Sequence, residues 1–182
     1  MPHPKSWITL YRKELEKYNR VLHLTSSSAS IDRLIEESLY IKDLIPQGAV
    51  VLDVGSGGGF PMVPVAAERP DIKVYLVERS SRKAAFLNHV KYLLGLENVE
   101  VINADYRHLN PGEKVNVITS RAVGNHVEII RTLSGFLEDD GFFLIYGDLR
   151  REIPPEWEVE VLEFPTAKIS RVYRAGESPR RD

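Results

Sequence analysis

Apolar residues in the first part of the chain recur at three- and four-residue steps, which is the spacing of one face of a helix. One such stripe covers residues 7–22, and a second covers residues 31–45 and ends before Pro46. The polar stretch 25–28 separates them and offers side chains for a helix cap. The pattern predicts helices within residues 1–46, and we expect them to cover one edge of a domain.

From residue 49 onward the pattern changes to short apolar runs that alternate with helical stretches. The predicted strands cover residues 50–54, 73–77, 99–102, 115–119 and 142–146. Helical stretches begin near Pro61 and Ser80, and a further one covers residues 127–137. Apolar strands joined by helical crossovers indicate a parallel sheet that is buried on both faces.

The last part of the chain carries two strand-like runs, 158–164 and 168–174, with only three residues between them. Parallel strands need a crossover of roughly a dozen residues or more, so we expect an antiparallel hairpin added to the sheet. The sequence therefore predicts an α/β fold with a mostly parallel, Rossmann-like sheet. We expect a single domain over residues 1–182, with N-terminal helices over 1–46 and the sheet core over 47–182.

Composition narrows the class of protein. The 182 residues include 24 Lys and Arg against 26 Asp and Glu, and 43% are hydrophobic, which is typical of a globular chain. Cysteine is absent, which excludes disulfides, Cys-based metal sites and a Cys nucleophile. The longest apolar run, 142–146, is far shorter than the roughly 18 residues of a membrane span, and no signal-peptide core is present. We therefore expect a cytoplasmic protein with no membrane contact.

A glycine-rich segment follows the first predicted strand and runs from Asp53 through Gly55, Gly57 and Gly59 to Phe60. Glycine lets the backbone approach a ligand closely and adopt positive φ. A dinucleotide fingerprint would have its third glycine where Phe60 stands. Asp53 at the strand end would repel a pyrophosphate but attract the ammonium of a methionine moiety. We therefore favour S-adenosyl-L-methionine over NAD as the cofactor.

Acidic residues also follow the next two strands. Glu78 closes the second strand, where a carboxylate can accept hydrogen bonds from both ribose hydroxyls, and Asp105 follows the third strand. A glycine loop alone is often only a tight turn, and Glu78 alone could be a solvated strand end. The combination favours a class I methyltransferase, a fold that carries an antiparallel strand at its sheet edge. Other nucleotide-binding α/β proteins remain the alternative.

Five stretches together resemble the RsmG (GidB) family of bacterial 16S rRNA guanine-N7 methyltransferases. They are Leu24-Thr-Ser26, Asp53-Val-Gly-Ser-Gly-Gly-Gly-Phe-Pro61 with Pro64, Ser81-Arg-Lys-Ala-Ala-Phe-Leu87, Leu96-Glu-Asn98 and Thr119-Ser-Arg-Ala122. The resemblance implies transfer of a methyl group from S-adenosyl-L-methionine to N7 of a guanine in 16S rRNA. It implies 16S rRNA or the small ribosomal subunit as partner, and we expect a monomer that needs no metal.

The resemblance also implies roles for matching residues. Gly55 and Phe60 would line the cofactor, the residues after the third strand would flank its adenine, and Arg121 would lie beside the transferable methyl as the catalytic residue. The full predicted cofactor-binding set is Asp53, Gly55, Gly57, Gly59, Phe60, Glu78, Asp105, Tyr106, Arg107 and Arg121. The chain departs from the family at residues 105–107, where Arg-Ala-Glu is usual, and at Tyr146, where a lysine is common.

Basic residues cluster between positions 79 and 91, where no acidic residue occurs. The tail adds the cations Lys168, Arg171, Arg174, Arg180 and Arg181. Phosphate contacts dominate nucleic-acid affinity. We predict that Arg82, Lys83 and Arg171 bind RNA, and a solvated helix face is the alternative interpretation.

No motif marks a general base, and the implied reaction needs none, because guanine N7 carries a free lone pair and loses no proton on methylation. Catalysis would then consist of positioning the two reactants and excluding water. Two other hypotheses stay open. One is a class I methyltransferase that acts on a small molecule or a protein, and the other is a non-enzymatic nucleotide- or RNA-binding domain.

Overall fold

The computed structural model describes residues 6–25, 30–110, 112–121 and 123–177. The helices are α1 (Ser6–Leu22), α2 (Ile31–Leu39), α3 (Met62–Glu68), α4 (Ser81–Leu94) and α5 (His126–Leu133). The strands are β1 (Val50–Val54), β2 (Lys73–Val77), β3 (Val99–Ile102), β4 (Val115–Ser120), β5 (Leu137–Tyr146), β6 (Trp157–Glu163) and β7 (Lys168–Arg174). Short 3₁₀ turns occur at Lys42–Leu44, Tyr106–His108 and Ser134–Phe136.

Within the described residues, the strands form one seven-stranded sheet in the order β3-β2-β1-β4-β5-β7-β6. The first five strands are parallel, whereas β7 is antiparallel to both of its neighbours, β5 and β6. The predicted α/β class, the mostly parallel sheet and the antiparallel C-terminal hairpin are therefore confirmed. The hairpin joins the sheet through its second strand, so β7 is internal and β6 forms the edge.

Strand β5 and helices α2 and α5 differ in length from their predictions. Strand β5 begins at Leu137, whereas the prediction began at Phe142, because three exposed acidic residues interrupt the apolar pattern on which the prediction rests. Helix α5 ends at Leu133, and residues 134–136 form a 3₁₀ turn. Helix α2 ends at Leu39, and a 3₁₀ turn replaces its predicted last turn.

The N-cap of α2 is Ser30, whose hydroxyl accepts a hydrogen bond from the Arg33 amide. The predicted capping stretch 25–28 lies outside the described residues except for Thr25. The motif residues Ser26 and Ala122 lie outside them as well. Among the described ranges, no helix has the length and apolar character that crossing a membrane requires.

Side chains alternate across the strands, so the sheet buries one core on each face. Val51 and Val117 face the core that α1, α3 and α4 cover, whereas Leu52 and Ile118 face α5. Asp53 lies two residues after Val51 and therefore projects to the same face as α1, α3 and α4. The alternation of side chains along β1 therefore determines which helices lie on the same side of the sheet as Asp53.

Helix α1 packs against α4 and reaches the glycine-rich loop, so it does more than cover an edge of the sheet. The fully buried Tyr11 donates a hydrogen bond from its hydroxyl to the Gly58 carbonyl oxygen at 2.6 Å. Its ring also contacts the ring of Phe60, with centroids 5.5 Å apart. The N-terminal helix thus braces the loop from the side of the first core.

Candidate functional site

A cavity of about 440 Å³ opens at the carboxyl ends of β1, β2 and β3. Its volume falls within the usual range for small-molecule sites. Six of the predicted cofactor-binding residues line it, namely Gly55, Gly57, Glu78, Asp105, Tyr106 and Arg107. In an open α/β sheet, ligands bind outside the carboxyl ends of the strands, so the cavity has the expected place for a ligand.

The glycine loop packs too tightly for side chains at two of its positions. Gly55 has a φ of +71°, and a Cβ added to it would lie 2.3 Å from a methyl carbon of Val123. Gly59 has a φ of +98°, and a Cβ there would lie 2.5 Å from a methyl carbon of Val63 in α3. Gly55 therefore keeps the loop backbone close to the cavity, whereas Gly59 lets the loop pack against α3 and Tyr11.

Glu78 joins the glycine loop to the start of α4. One carboxylate oxygen accepts a hydrogen bond from the Gly57 amide at 2.9 Å, and the other accepts one from the Ser80 amide at 2.8 Å. The residue is only 6% exposed, yet it lines the cavity. A carboxylate has about four lone-pair sites, so two amide contacts leave capacity for hydroxyl donors of a ligand.

Asp53 lies fully buried at the end of β1. Its Oδ1 accepts a hydrogen bond from the Thr119 hydroxyl at 2.7 Å, whereas Oδ2 has no partner among the described residues. Burial raises the pKa of Asp53 to about 7, although the hydroxyls of Ser56 and Thr119 oppose the shift. A buried carboxylate oxygen without a partner is costly, and a bound cation would relieve that cost.

The segment after β3 forms a 3₁₀ turn that Asp105 caps. Its carboxylate accepts hydrogen bonds from the Arg107 amide and from the Arg107 guanidinium. These bonds hold the pKa of Asp105 well below its usual range. Asp105 and Arg107 therefore form a local ion pair, and the half-buried Tyr106 also lines the cavity.

Arg121 follows β4 and is held by two elements outside the cavity. One guanidinium nitrogen, Nη2, donates to Glu37 of α2, and the guanidinium carbon lies 4.7 Å from the ring centroid of Tyr146. The other nitrogen, Nη1, is buried without a partner among the described residues. The register pairs Val54 with Ser120, so Arg121 lies beside the start of the glycine loop rather than in the wall of the cavity.

Unpartnered buried polar atoms concentrate at two adjacent strand ends. In the described part of the chain, five buried side-chain atoms have no hydrogen-bond partner, and three of them are Asp53 Oδ2, Ser120 Oγ and Arg121 Nη1. Native proteins leave few such atoms unsatisfied. Their location at the ends of β1 and β4 therefore marks this part of the sheet edge as a second portion of the site.

Phe60, like Asp53, Gly59 and Arg121, is a predicted cofactor-binding residue that does not line the cavity. It is 7% exposed, packs against Tyr11 and is absent from the cavity wall. Together with Gly59, it faces α1 and α3 rather than the cavity. The sequence predicts that both residues bind the cofactor, whereas in the structure they pack against α1 and α3 and support the loop from that side.

The three predicted RNA-binding residues do not lie together. Arg82 is exposed on α4, and Lys83 lines the cavity, with its Nζ donating to the His23 carbonyl oxygen at 3.2 Å. Arg171 lies on β7, and four strands separate β7 from β3, the strand beside which α4 packs. The five spacings between these strands, at about 4.8 Å each, amount to roughly 24 Å.

Arg171 is also largely enclosed. Its side chain is 12% exposed, pairs with Glu160 and lies over the ring of Phe142, with 5.4 Å between the guanidinium carbon and the ring centroid. The structure therefore does not place Arg171 on the basic surface formed by α4. The predicted tail cations Arg180 and Arg181 lie outside the described residues.

Sequence reasoning missed Tyr11 and Glu37. Tyr11 belongs to the apolar stripe of α1, and Glu37 stands next to another glutamate in α2, so nothing local distinguishes them. Their partners lie 47 and 84 residues away in sequence. Within the described ranges, no group of three or more His, Asp or Glu side chains is arranged to hold a metal ion.

Relatives of known name match most of the chain. The family model described as rRNA small subunit methyltransferase G (GidB) matches residues 5–171. Ribosomal RNA small subunit methyltransferase G from Helicobacter acinonychis (strain Sheeba) is 34% identical over 138 residues, which cover 75% of this chain and 78% of that protein. The protein of the same name from Sorangium cellulosum (strain So ce56) is 33% identical over 191 residues, covering 94% and 80%.

Solved structures share the fold. A methyltransferase from Geobacter sulfurreducens gives a TM-score of 0.66 at 13% identity and covers 96% of this chain and 91% of its own. Coclaurine N-methyltransferase, bound to N-methylheliamine and SAH, gives a TM-score of 0.55 at 25% identity. The match covers 67% of this chain and 37% of that chain. The predicted class I methyltransferase fold is confirmed. Because the family model spans nearly the whole chain, this protein belongs to the rRNA small subunit methyltransferase G family of S-adenosylmethionine-dependent enzymes.

Proposed function

We propose that this protein transfers a methyl group from S-adenosyl-L-methionine to N7 of a guanine in 16S rRNA. The observation that carries the proposal is the cavity beside the glycine loop, together with the three unpartnered polar atoms at the ends of β1 and β4. The cavity is of a size for a nucleoside, and the unpartnered atoms provide an acceptor for a cation and donors for the acceptor base.

The cofactor residues would act in four ways. Asp53 would accept hydrogen bonds from the ammonium group through Oδ2, and Glu78 would accept them from the ribose hydroxyls. The backbone at Gly55 and Gly57 allows close approach, and the segment 105–107 would flank the adenine. Each charge-assisted hydrogen bond contributes about 1.5–3 kcal/mol. Gly59 and Phe60 would act indirectly, by holding the loop against α1 and α3.

The acceptor side needs orientation more than proton transfer. S-adenosyl-L-methionine supplies an electrophilic methyl group, and guanine N7 supplies its own lone pair. A donor to N7 would block that lone pair, so the useful contact of Arg121 is with guanine O6 or a phosphate. Its Nη1 is the terminal guanidinium nitrogen that is buried without a partner in the described structure. Arginine pairs with guanine O6 in many nucleic-acid complexes.

We limit the proposed RNA surface to the start of α4, where Arg82 is exposed and Lys83 lines the cavity. These cations would contact phosphates and hold the target nucleotide over the site. The substrate would be 16S rRNA, free or within the small subunit, and we propose that the enzyme acts as a monomer. Size-exclusion chromatography with light scattering tests the last point, and a stable dimer would contradict it.

The decisive experiment is mass-spectrometric mapping of nucleosides after incubation of the protein with S-adenosyl-L-methionine and unmethylated small subunits. We expect 7-methylguanosine at one position of 16S rRNA. Methylation at another base atom, or only of a protein or small molecule, would overturn the proposal. Undetectable binding of S-adenosylhomocysteine at millimolar concentration would instead favour a non-enzymatic domain.

The role of Arg121 is tested in the same assay. We expect Arg121→Ala to reduce the single-turnover rate about tenfold or more, since each 1.36 kcal/mol of barrier is a factor of ten. Cofactor binding should persist. Arg131→Ala is the matched control, because this exposed arginine lies on α5 at the opposite face of the sheet. Normal turnover by Arg121→Ala would remove its assigned role without affecting the proposed reaction.

A further inference from the structure

A buried carboxylate outside the cavity wall contacts the proposed catalytic arginine. The side chain of Glu37 in α2 is 5% exposed, and each of its oxygens binds one arginine. Oε1 accepts from Arg33 Nε at 2.7 Å, and Oε2 accepts from Arg121 Nη2. Burial raises the pKa of Glu37, but the bonds from Arg33 and Arg121 outweigh burial and keep that pKa below its usual value. Glu37 is therefore ionised at neutral pH.

Stability alone is a weak reason for such an arrangement. Removing ions from water is unfavourable, and a well-packed apolar replacement of a buried pair is often as stable. What an ion pair supplies, and an apolar side chain does not, is a fixed geometry for the guanidinium group. The contacts around Arg121 agree with that use.

Two elements hold the Arg121 guanidinium from different directions. Glu37 binds its edge at Nη2, and the ring of Tyr146 from β5 lies against its face at 4.7 Å. Tyr146 also donates a hydrogen bond from its hydroxyl to the Glu37 carbonyl oxygen at 2.8 Å, so the two supports are joined to each other. Edge and face contacts together leave Nη1 as the terminal nitrogen without a partner in the described structure.

The helix that carries Glu37 is itself fixed to the turn between β6 and β7. Arg33 Nη2 donates to the Thr166 carbonyl oxygen at 3.1 Å, and the Tyr40 and Thr166 hydroxyl oxygens lie 3.1 Å apart. Tyr40 also stacks on Phe164, with ring centroids 4.7 Å apart and nearly parallel planes. The position of Glu37 is thus set by contacts far from the cavity.

We propose that Glu37 is a positioning residue for methyl transfer, which holds the Arg121 guanidinium so that Nη1 stays unpaired as a donor for the acceptor base. This inference rests on the proposed function, because it needs Arg121 to contact the base. Glu37 touches no reactant, so its effect must pass through Arg121. Loss of Glu37 should therefore slow transfer only while Arg121 is present.

The test compares Glu37→Gln with Glu36→Gln, a matched change at an exposed glutamate of the same helix. We expect Glu37→Gln to lower the single-turnover rate on small subunits about tenfold, with the Kd of S-adenosylhomocysteine unchanged within about twofold. In an Arg121→Ala background the same change should alter the rate less than about twofold. Glu36→Gln should match the parent protein in both backgrounds.

A second route covers the case in which Glu37→Gln fails to fold, as thermal unfolding would show. Tyr146→Leu removes the ring from the guanidinium face and leaves the buried charges in place. It should slow transfer in the parent protein and have little further effect in the Arg121→Ala background.

Equal slowing in both backgrounds, or an unchanged rate for a folded Glu37→Gln, would overturn this inference. A parent protein that makes no 7-methylguanosine would overturn the proposed function instead, so the two failures are distinguishable.

Discussion

Cofactor affinity should depend on pH through the buried carboxylate of Asp53. Burial raises the pKa of this group to about 7 in the free protein, whereas an ammonium group bound at Oδ2 would lower it in the complex. The carboxylate is half ionised at pH 7 but only about one-hundredth ionised at pH 5. The apparent Kd should therefore rise roughly 50-fold between pH 7 and pH 5, which is about 2.3 kcal/mol.

The same group should affect stability with a defined sign. The pKa of Asp53 is higher in the folded protein than in the unfolded chain, so the folded protein binds more protons between about pH 4 and pH 7. Its contribution to the free energy of unfolding therefore falls as pH rises through that window, by up to about 4 kcal/mol. Asp53→Asn should remove this fall and raise stability at pH 8, while it weakens cofactor binding.

Isothermal titration with S-adenosylhomocysteine at pH 5, 6 and 7, combined with urea unfolding, measures both effects. Asp139→Asn is the matched control, because Asp139 is exposed in β5 and should leave both profiles unchanged. A Kd that stays constant from pH 7 to pH 5 would refute the reasoning. So would a pH dependence of the same size in Asp53→Asn, since the titrating group would then lie elsewhere.

Three further changes test the loop and the RNA surface. Glu78→Gln should weaken cofactor binding roughly tenfold or more, because a charge-assisted hydrogen bond is worth about 1.5–3 kcal/mol. Tyr11→Phe should lower the free energy of unfolding by about 1–3 kcal/mol, since it leaves the buried carbonyl of Gly58 without its hydroxyl donor, and urea unfolding measures it. Replacing both Arg82 and Lys83 with alanine should make RNA binding less dependent on salt. The slope of log binding constant against log salt concentration should fall in magnitude by roughly 0.7–0.9 per lost phosphate contact.

Each of these changes has a control and an outcome that contradicts it. Glu97→Gln alters an exposed glutamate and should keep parental cofactor affinity. If Glu78→Gln also keeps parental cofactor affinity, Glu78 does not bind the ribose hydroxyls. Unaltered stability of Tyr11→Phe would show that α1 does not brace the loop. Arg131→Ala should leave the salt slope unchanged, and an unchanged slope for the double variant would assign those cations to a solvated helix face.

The sheet could be predicted from the sequence because its central strands are buried on both faces, so their sequences are runs of apolar residues. The bounds of β1, β2 and β3 agree with the prediction residue for residue. The hydrophobic pattern did not reveal the start of β5, because residues 138–140 are acidic and exposed. Backbone pairing does not require apolar side chains, so hydrophobic pattern alone cannot delimit a strand that extends into solvent.

The sequence indicated residues of the site only where they follow a strand or belong to the glycine loop. Glu78 and Asp105 could be placed at the cavity because parallel strands end at one edge of the sheet. The enclosure of Arg171 and the support of Arg121 by Glu37 depend on contacts between distant segments. The sequence alone does not show whether tertiary packing exposes a charged residue or pairs it with another charge.

The internal position of β7 has a consequence for synthesis of the chain on the ribosome. Until residues 168–174 emerge, one side of β5 lacks the hydrogen-bonding partner that the finished sheet gives it. An apolar strand with an open side is a template for pairing with other chains. The docking of the β6–β7 turn onto α2 must also wait for Thr166. A nascent chain halted before β7 should therefore depend on chaperones, even though every residue of the cofactor cavity has already been translated.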